Sequence, residues 1–339
     1  MKQESELETW RSMVLRAMPP PAWLSADAPQ GDVVLSTRWR VARNLRGFRF
    51  PHHATQEELR NVLGQVKRAL PQAEGFEFLE RLTHAERDYL VGCRLLSPEF
   101  PHRSPARAVI VDHGRNLSLM INEEDHIRLQ SVSAGWSLRK AALTSQELLE
   151  RIGSRLDFAQ SERFGYLAAS PYNAGHGLRQ SAMLHLIGLA HTKQLSNVLK
   201  AVAARGISAR GLFGEASRAV GAFLQFSITH PAEAEFVGAC EYLIQAERKA
   251  RSSIQSGVIR ERFDQIVDYV NQSRTLSLAD SLRVLGWARL ATTSEVRKSE
   301  SPRLVDEWLT GLEVRNSADE ETASRQRADF LRKRLEMLS

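Results

Sequence analysis

The order of hydrophobic and polar positions predicts a β-sheet in the first two thirds of the chain. Apolar runs at 108–111 and 117–121 flank a loop that contains glycine, which is typical of a β-hairpin. Apolar and polar residues then alternate from 127 to 132, which predicts a further strand. An antiparallel sheet accounts for these strands most simply. The shorter apolar runs that we expect to complete it lie at 33–35, 207–210 and 222–228.

Helical periodicity separates and follows these strands. Amphipathic patterns predict helices between strands at 56–70, 138–158 and 178–204. From about residue 236 onward helical patterns follow one another with few strand signals, at 237–252, 258–272, 276–290, 302–312 and 322–338. We therefore predict an α+β fold, with a central antiparallel sheet flanked by helices and followed by an all-helical C-terminal domain. The predicted divisions are a lead-in of residues 1–30, a sheet domain of 31–235 and a helical domain of 236–339.

Composition agrees with a soluble two-domain protein. The chain has 339 residues, 42% of them hydrophobic and 25% charged. Two cysteines, Cys93 and Cys240, are too few for a disulfide framework and lack the spacing of a metal site, so we expect the reducing cytoplasm. Three prolines at 19–21 interrupt the first apolar segment, and we expect neither a signal peptide nor a membrane-spanning helix.

A net charge of +6 and a pI near 9.5 raise nucleic-acid binding as a hypothesis. The basic residues are scattered, however, and aromatic residues do not alternate with them as they do in RNA-recognition motifs. We therefore expect no nucleic-acid partner. The positive charge is better explained by an arginine-lined anion site together with solvated helix faces.

One motif carries unusual chemistry. Residues 122–128 place three carboxylates, Glu123, Glu124 and Asp125, directly after an apolar strand. Adjacent carboxylates are tolerated when they are solvated or when a positive group lies between them. An acidic turn alone is commonly solvated surface, but this chain also has arginines clustered beside Gly, Ser and Asn, which favours a functional site. These clusters are residues 36–44, 170–179 and 210–215.

Acids and arginines together indicate phosphoryl transfer to a cationic acceptor. The sequence has no G-x-x-x-x-G-K-[ST] loop and no H-R-D or D-F-G set. Arginines from several loops can neutralise phosphates instead. If the acceptor is a guanidinium, its pKa above about 12 makes free deprotonation at pH 7 cost about 7–8 kcal/mol. Carboxylates must then hold it and accept its proton, and Glu124 and Glu215 are the candidates.

These four segments, in this order, resemble the ATP:guanidino phosphotransferase family, and within it the bacterial protein-arginine kinases more than the phosphagen kinases. The short lead-in and the added C-terminal helices support that distinction. The resemblance covers nearly the whole chain. It implies that Glu124 is the catalytic carboxylate, that Glu215 also grips the guanidinium and that Ser170 lies beside it. The residues it implies for phosphate binding are Ser36, Arg38, Arg40, Arg128, Arg179 and Arg210.

The resemblance also implies ligands and partners. ATP would bind with Mg²⁺, which is held mainly by the nucleotide and water, so no metal-ligand motif is expected. The acceptors would be proteins with exposed arginines, and the C-terminal domain would form a homodimer. An activator protein is left open.

The chain departs from the family pattern at two places. The family loop begins Cys-Pro-Thr-Asn and continues with Gly-Thr, whereas this chain has Ser170, Tyr172 and His176 at the cysteine and threonine positions. A serine cannot supply the charge of a thiolate, so we predict a loss of about 1–3 kcal/mol of transition-state stabilisation. The family segment Arg-Asp-x-x-Arg-Ala, which binds phosphoarginine, is matched only at Arg327 and Ala328, which leaves feedback by phosphoarginine open.

Two alternatives remain open from the sequence. One is a kinase for a free guanidino metabolite. The other is a weakly active pseudokinase that binds nucleotide and recruits partners through its helical domain, which the replacements at 170 and 176 would favour. The candidate glutamates and the arginines speak against the second alternative.

Overall fold

A sheet of eight strands, all paired antiparallel, forms the centre of the computed structural model. The structure describes residues 20–25, 27–70, 75–101, 105–212, 219–229, 233–297, 303–312 and 319–338. Its strand order is β2-β3-β4-β5-β1-β8-β10-β9, and β6 and β7 form a separate hairpin. The strands are β1 (Val34–Arg43), β2 (Phe76–Leu79), β3 (Ala108–Asp112), β4 (Leu117–Ile121), β5 (Ile127–Ala134), β6 (Gln160–Ser161), β7 (Gly165–Tyr166), β8 (Leu178–His185), β9 (Ser208–Gly211) and β10 (Phe223–Ile228).

Helices cover both faces of the sheet. Several begin with a side-chain cap, as at Thr55, whose hydroxyl accepts from the backbone N–H of Glu58 while the Glu58 carboxylate accepts from that of Thr55. The α-helices are α1 (Gln56–Ala69), α2 (His84–Gly92), α3 (Leu138–Gly153), α4 (Ile187–His191), α5 (Leu195–Ala203), α6 (Glu233–Ser252), α7 (Ser256–Gln272), α8 (Leu278–Thr293), α9 (Leu304–Gly311) and α10 (Glu320–Leu335).

Most predicted elements are confirmed, including the hairpin of β3 and β4, the following strand β5 and the C-terminal series of helices. The strand at 76–79 and the helix at 84–92 were not predicted, and α3 ends at Gly153 rather than near 158. The predicted lead-in falls mostly outside the described residues.

The predicted helix over 178–204 is wrong in its first part. Residues Leu178–His185 form β8, and only the later part is helical, as α4 and α5. β8 lies between β1 and β10, and its last six residues are all buried. A strand that is covered on both faces lacks the period-two alternation that reveals half-buried strands. The recurrence of Leu178, Ala182 and Leu186 every four residues therefore gave a helical pattern.

The C-terminal helices share a hydrophobic core with the sheet. Val109 and Met120 of the sheet belong to one buried cluster with Phe263, Trp308 and Leu331 of the helices. The opposite face packs Ile110 and Leu119 against α1 and α3. The predicted boundary at 235 stays a prediction, although the two segments are joined by this apolar core.

None of the helices in the described parts of the chain is long and apolar enough to cross a membrane.

Candidate active site

Neighbouring strands place arginines on a single face of the sheet. Arg40 of β1 lies opposite Arg179 of β8, and residues that face each other across antiparallel strands share a face. Arg38 is two residues earlier on β1 and therefore points the same way. Arg128 of β5 is opposite Ala42, two residues beyond Arg40. The alternation of side chains along a strand thus converts motifs that are far apart in sequence into one cationic surface.

Arg210 joins this surface from the edge of the sheet. It lies on β9 opposite Gln225 of β10, which in turn is opposite Met183 of β8. Gln225 also accepts a hydrogen bond from Nη2 of Arg38 at 2.9 Å. The five arginines that were predicted from separate motifs therefore converge.

Together these side chains line a cleft of about 890 Å³. Its other walls come from the loop after α2, from the acidic turn, from the loop before β8 and from Leu309 of α9. A sixth arginine, Arg94, also lines it and was not predicted, because Cys93 and Arg94 lie in no recognisable motif. The cavity is large enough for a small-molecule ligand of nucleotide size.

The cleft arginines are crowded, and most lack a carboxylate partner. Of the six, only Arg128 forms an ion pair with a described residue, at 3.0 Å between its Nη1 and Oε2 of Glu123. Burial, and then the positive charges of the other cleft arginines, lowers the pKa of Arg38 to about 9 and that of Arg40 well below its ordinary value. Burial lowers the pKa of Arg94 to about 10. The guanidinium groups thus repel one another in the absence of an anion.

Unused hydrogen-bond donors accompany this excess of charge. The Nε atoms of Arg94, Arg128 and Arg179 are buried and have no hydrogen-bond partner within the described chain. A buried charged donor without a partner costs about 1–3 kcal/mol or more. Oxygen atoms of a polyphosphate match both the charge and the planar donors of these groups. The residues present therefore fit the phosphates of a nucleotide.

The acidic turn between β4 and β5 is fixed by a buried asparagine. Asn122 adopts a φ of 57°, a left-handed conformation that asparagine tolerates. Its side-chain amide donates to the carbonyls of Leu59 at 2.9 Å and Ala106 at 2.6 Å. Its N–H donates to the carbonyl of His126 at 3.0 Å, which closes the turn.

The two glutamates of this turn differ in their surroundings. Glu123 accepts from Arg128 and from the backbone N–H of Glu124 at 2.9 Å; burial opposes its ionisation, but these contacts prevail and lower its pKa. The Glu124 carboxylate is exposed in the cleft and accepts no hydrogen bond from any described residue. Partial burial and the neighbouring charges of Asp125 and Glu123 raise its pKa. Glu124 is thus the acid that is free to take a proton.

Asp125 joins the turn to the loop that precedes β8. It is 2% exposed, and its Oδ1 accepts from Nδ2 of Asn44 at 2.6 Å and from the N–H of Ala169 at 2.7 Å. Asn44 in turn donates to the carbonyl of Leu167 at 3.1 Å and accepts from the N–H of His126 at 2.9 Å. These bonds fix the position of Glu124 relative to the loop that carries Ser170.

The same loop is held at its far end by Arg43. Its Nη1 donates to the carbonyl of His176 at 2.9 Å, and its guanidinium lies 3.6 Å from the ring centroid of Tyr166. Gly177 has a φ of 62°, and a Cβ there would lie 2.6 Å from the backbone carbonyl oxygen of Ala42, so glycine is required. Ser170, Tyr172 and the intervening turn therefore form one anchored wall of the cleft.

Most predicted site residues are brought together, with two exceptions. Ser36 is 4% exposed within β1 and is not among the residues that line the cleft. Glu215 lies outside the described residues. Ser170 does line the cleft, with Glu124 and all five predicted arginines. In the described chain, no group of three or more His, Cys, Asp and Glu side chains has the arrangement of a metal site.

Arg327, one of two residues retained from the phosphoarginine-binding segment, is engaged within the protein. It is 1% exposed and forms an ion pair with Glu320 at 2.8 Å between Nη1 and Oε1. Its guanidinium also donates to the carbonyls of Leu276 and Leu312, each at 3.3 Å. These contacts give Arg327 a structural role in holding α10.

The chain that forms this cleft is similar to known proteins. Residues 55–244 match the family model described as "ATP:guanido phosphotransferase, C-terminal catalytic domain". A protein-arginine kinase of Pelotomaculum thermopropionicum is 32% identical over 308 residues, which are 86% of this chain and 86% of that protein. A protein-arginine kinase of Geobacillus stearothermophilus is 38% identical over 247 residues, 69% of this chain and 68% of its own.

Solved structures share the fold. A lombricine kinase has a TM-score of 0.57 at 24% identity, over 70% of this chain and 74% of its own. The duplicated taurocyamine kinase of Schistosoma mansoni, with bound components of a transition-state analogue, has a TM-score of 0.58 at 23% identity, over 69% of this chain and 35% of its own. The predicted α+β architecture is confirmed by these neighbours.

Proposed function

Because the chain belongs to the ATP:guanido phosphotransferase family, we propose that it is a protein-arginine kinase that transfers the γ-phosphoryl group of ATP to arginine side chains of proteins. The observation that carries this proposal is the geometry of the cleft: six arginines, of which only Arg128 has a carboxylate partner in the described chain, share it with the exposed Glu124, whose pKa is raised. The phosphoarginine product suits protein quality control or a stress response, the setting that the sequence resemblance implies.

The arginines supply the nucleotide half of the site. Arg38, Arg40, Arg128, Arg179 and Arg210 are proposed to bind the phosphates of ATP, with Arg94 as a further donor. Phosphoryl transfer depends chiefly on positioning and on neutralising charge on the transferred group, and rigid strands hold most of these guanidinium groups. Ser36 stays a predicted phosphate-binding residue, although it is buried within β1 and does not line the cleft.

Glu124 supplies the acceptor half. A guanidinium nitrogen of the acceptor forms a bond to the γ-phosphorus while the bond from that phosphorus to the bridging oxygen of ADP breaks. The proton lost by the nitrogen passes to the Glu124 carboxylate, whose raised pKa makes it a better base than an ordinary glutamate. Glu215 is proposed to hold the other side of the guanidinium, and Ser170 to donate or accept a hydrogen bond beside it.

Phosphorus NMR tests this function directly. An arginine-rich protein is incubated with ATP, Mg²⁺ and the enzyme, and an acid-labile phosphoramidate signal is expected on the protein. The Glu124→Gln variant preserves the shape of the side chain but removes the base, so we expect its rate to fall about 10²- to 10⁴-fold. Equal signals from both proteins would contradict the assigned base.

The two alternatives give different results in the same experiment. A signal on free arginine or a creatine-like compound, with none on protein, would indicate a kinase for a guanidino metabolite. No signal on either, with ATP binding intact, would indicate the regulatory pseudokinase.

Further parts of the proposal concern cofactor, location and assembly. Mg²⁺ is proposed to bind with ATP through the nucleotide and water, where it neutralises phosphate charge. We infer a cytoplasmic protein, since bacterial protein-arginine kinases are its relatives. The C-terminal helices are proposed to form a homodimer, and Tyr269 and Met337 expose 46% and 48% of their surface there. An activator protein is proposed as a further partner, which co-purification from the source cell would identify.

A further inference from the structure

An aromatic side chain stands exposed at the wall of the cleft. Tyr172 is 82% exposed, the largest value of any large hydrophobic side chain in the described part of the chain. Exposed tyrosine presents a large rigid surface to water, and such residues are enriched where proteins recognise partners. Among the described residues, its side chain forms no hydrogen bond and its ring has no aromatic or cation–π contact.

The turn that carries Tyr172 is anchored on both sides. Before it, the N–H of Ala169 donates to Oδ1 of Asp125 at 2.7 Å. After it, Gly175 exchanges two backbone hydrogen bonds with Tyr166, at 2.8 and 2.9 Å. Residues Pro171–Asn173 form a short 3-10 helix between these anchors. The ring is thus presented from a fixed support, which lowers the entropy lost when it binds a partner.

Its place in the cleft is on the acceptor side. Tyr172 is two residues after Ser170, and both line the same cavity as Glu124. The acceptor guanidinium must reach Glu124 to lose its proton, and it therefore passes this wall. Because the ring is open to solvent, it is also accessible to an arginine that projects from a protein surface.

Chemistry favours contact between this ring and a guanidinium. Arginine cations bind the faces of aromatic rings, with contributions of about 0.5–2 kcal/mol. The neighbouring hairpin shows this packing twice: Cζ of Arg163 lies 4.9 Å from the ring centroid of Phe164, and Cζ of Arg43 lies 3.6 Å from that of Tyr166. The threonine of the family pattern at position 172 has no ring to offer.

We propose that Tyr172 recognises the acceptor, packing its ring against the guanidinium plane of an arginine in a polypeptide while Glu124 binds the edge of the same group. Tyr172 is a specificity-determining residue of this chain and does not take part in proton or phosphoryl transfer. This inference rests on the proposed protein-arginine kinase activity.

Steady-state kinetics with an arginine-containing peptide test it. In Tyr172→Thr the KM for the peptide is expected to rise about 3- to 30-fold, which corresponds to the loss of a cation–π contact. The value of kcat at saturating peptide and the KM for ATP should stay within twofold of wild type. Tyr172→Phe keeps the ring and is expected to restore the wild-type KM. Since Tyr172 is exposed, the melting temperature of both variants should be unchanged.

Phe164→Ser is the matched control. It removes an exposed aromatic ring from the adjoining hairpin, but Phe164 does not line the cleft, so the KM for peptide should not change. An unchanged KM in Tyr172→Thr, or a rise confined to the KM for ATP, would overturn the inference. Absence of phosphoarginine with wild-type enzyme would instead overturn the proposed function on which it rests.

Discussion

The arginines of the cleft and those beneath the C-terminal helices have opposite surroundings. In the cleft, five of six lie without a carboxylate partner among the described residues. Beneath the helices, Arg289 and Arg303 are more deeply buried, at 1% and 3% exposure, and each binds Asp306, at 2.7 and 2.5 Å from their Nε atoms. Arg251 likewise binds Glu247 at 2.6 Å.

Backbone carbonyls complete the second group. Arg289 donates to the carbonyls of Gly31 and Asp32 at 2.6 and 2.7 Å, and Arg303 donates to those of Trp23 and Leu35, each at 2.6 Å. The same residue type therefore serves two ends. An arginine whose donors are used within the protein stabilises the fold. An arginine whose donors have no partner in the described chain is able to bind an anion.

The largest expected effect is on stability and concerns the buried arginines that are paired with carboxylates. Asp306→Ala removes the counterion of both Arg289 and Arg303, and we expect the free energy of unfolding to fall by about 3–5 kcal/mol. Urea denaturation measures this. Asp329→Ala is the matched control, because Asp329 pairs with Arg332 at the surface and its side chain is 60% exposed; it should cost less than about 1 kcal/mol. Equal losses would show that the buried pairing contributes little.

The next effect should have opposite signs in the two regions. Arg179→Gln removes a cation from a crowded cleft, where burial and then the charges of Arg210 and Arg128 lower the pKa of Arg179. We expect ATP affinity, measured by calorimetry, to fall about 10- to 100-fold. Thermal stability without nucleotide should be unchanged or higher. Arg289→Gln should lower the thermal stability. A similar loss of stability in both variants would contradict the difference between the two groups of arginines.

The reactivity of a thiol should also differ between the buried core and the cleft. Burial raises the pKa of Cys93 to about 12 and raises that of Cys240 as well, so both should resist alkylation at pH 7. Ser170→Cys would place a thiol beside the cleft arginines, which favour the thiolate. We expect it to alkylate readily and to raise kcat by about one to two decades, or 1–3 kcal/mol. With Ser170→Ala as the neutral control, an unchanged kcat would show that charge at this position does not matter.

The smallest expected effect concerns a histidine that lies next to Arg289, and it tests whether that buried region excludes a further positive charge. His185 is buried, and burial, followed by the charges of Arg289 and Arg251, holds its pKa well below the ordinary 6.5. The unfolded chain then binds a proton below pH 6.5 that the folded chain does not. Stability should fall as pH falls, by about 1.3 kcal/mol from this residue between pH 7.0 and 5.5. Urea denaturation at pH 7.0 and 5.5 should show a shallower dependence for His185→Gln; the same dependence as wild type would contradict the assignment.

The sequence predicted which arginines line the cleft better than it predicted the elements that position them. Arg40 and Arg179 stood in motifs whose composition suggested anion binding, and strand register brings them together as opposed residues. Arg94 has no such motif, and its role depends on a helix that the pattern did not reveal. The burial of Ser36 could not be predicted either, because the sequence pattern of a strand does not show whether a serine within it lines a cavity.

Strand prediction succeeded where turn residues bound a short apolar run, even when the strand is buried on both faces. The segments at 108–111 and 117–121 were bounded by turn residues and were found. The central strand Leu178–His185 lacks alternation because its last six residues are all buried, and it was missed because a helix follows directly from Ile187 with no turn residues between them. The partners of Asp125 and Arg43 could not be inferred either, since their bonds join residues that are distant in the chain.

The bonds from Arg289 and Arg303 to the carbonyls of residues 31–35 have a consequence for how such a protein can be divided. Those carbonyls lie at the entrance to β1, the strand that carries Arg38 and Arg40. Proteolysis or gene truncation near residue 235 would remove these arginine donors and would loosen the proposed nucleotide site from a distance. The helical segment and the sheet are therefore expected to be inherited together, because recombination that exchanges one without the other disrupts the strand that carries two of the proposed phosphate-binding arginines.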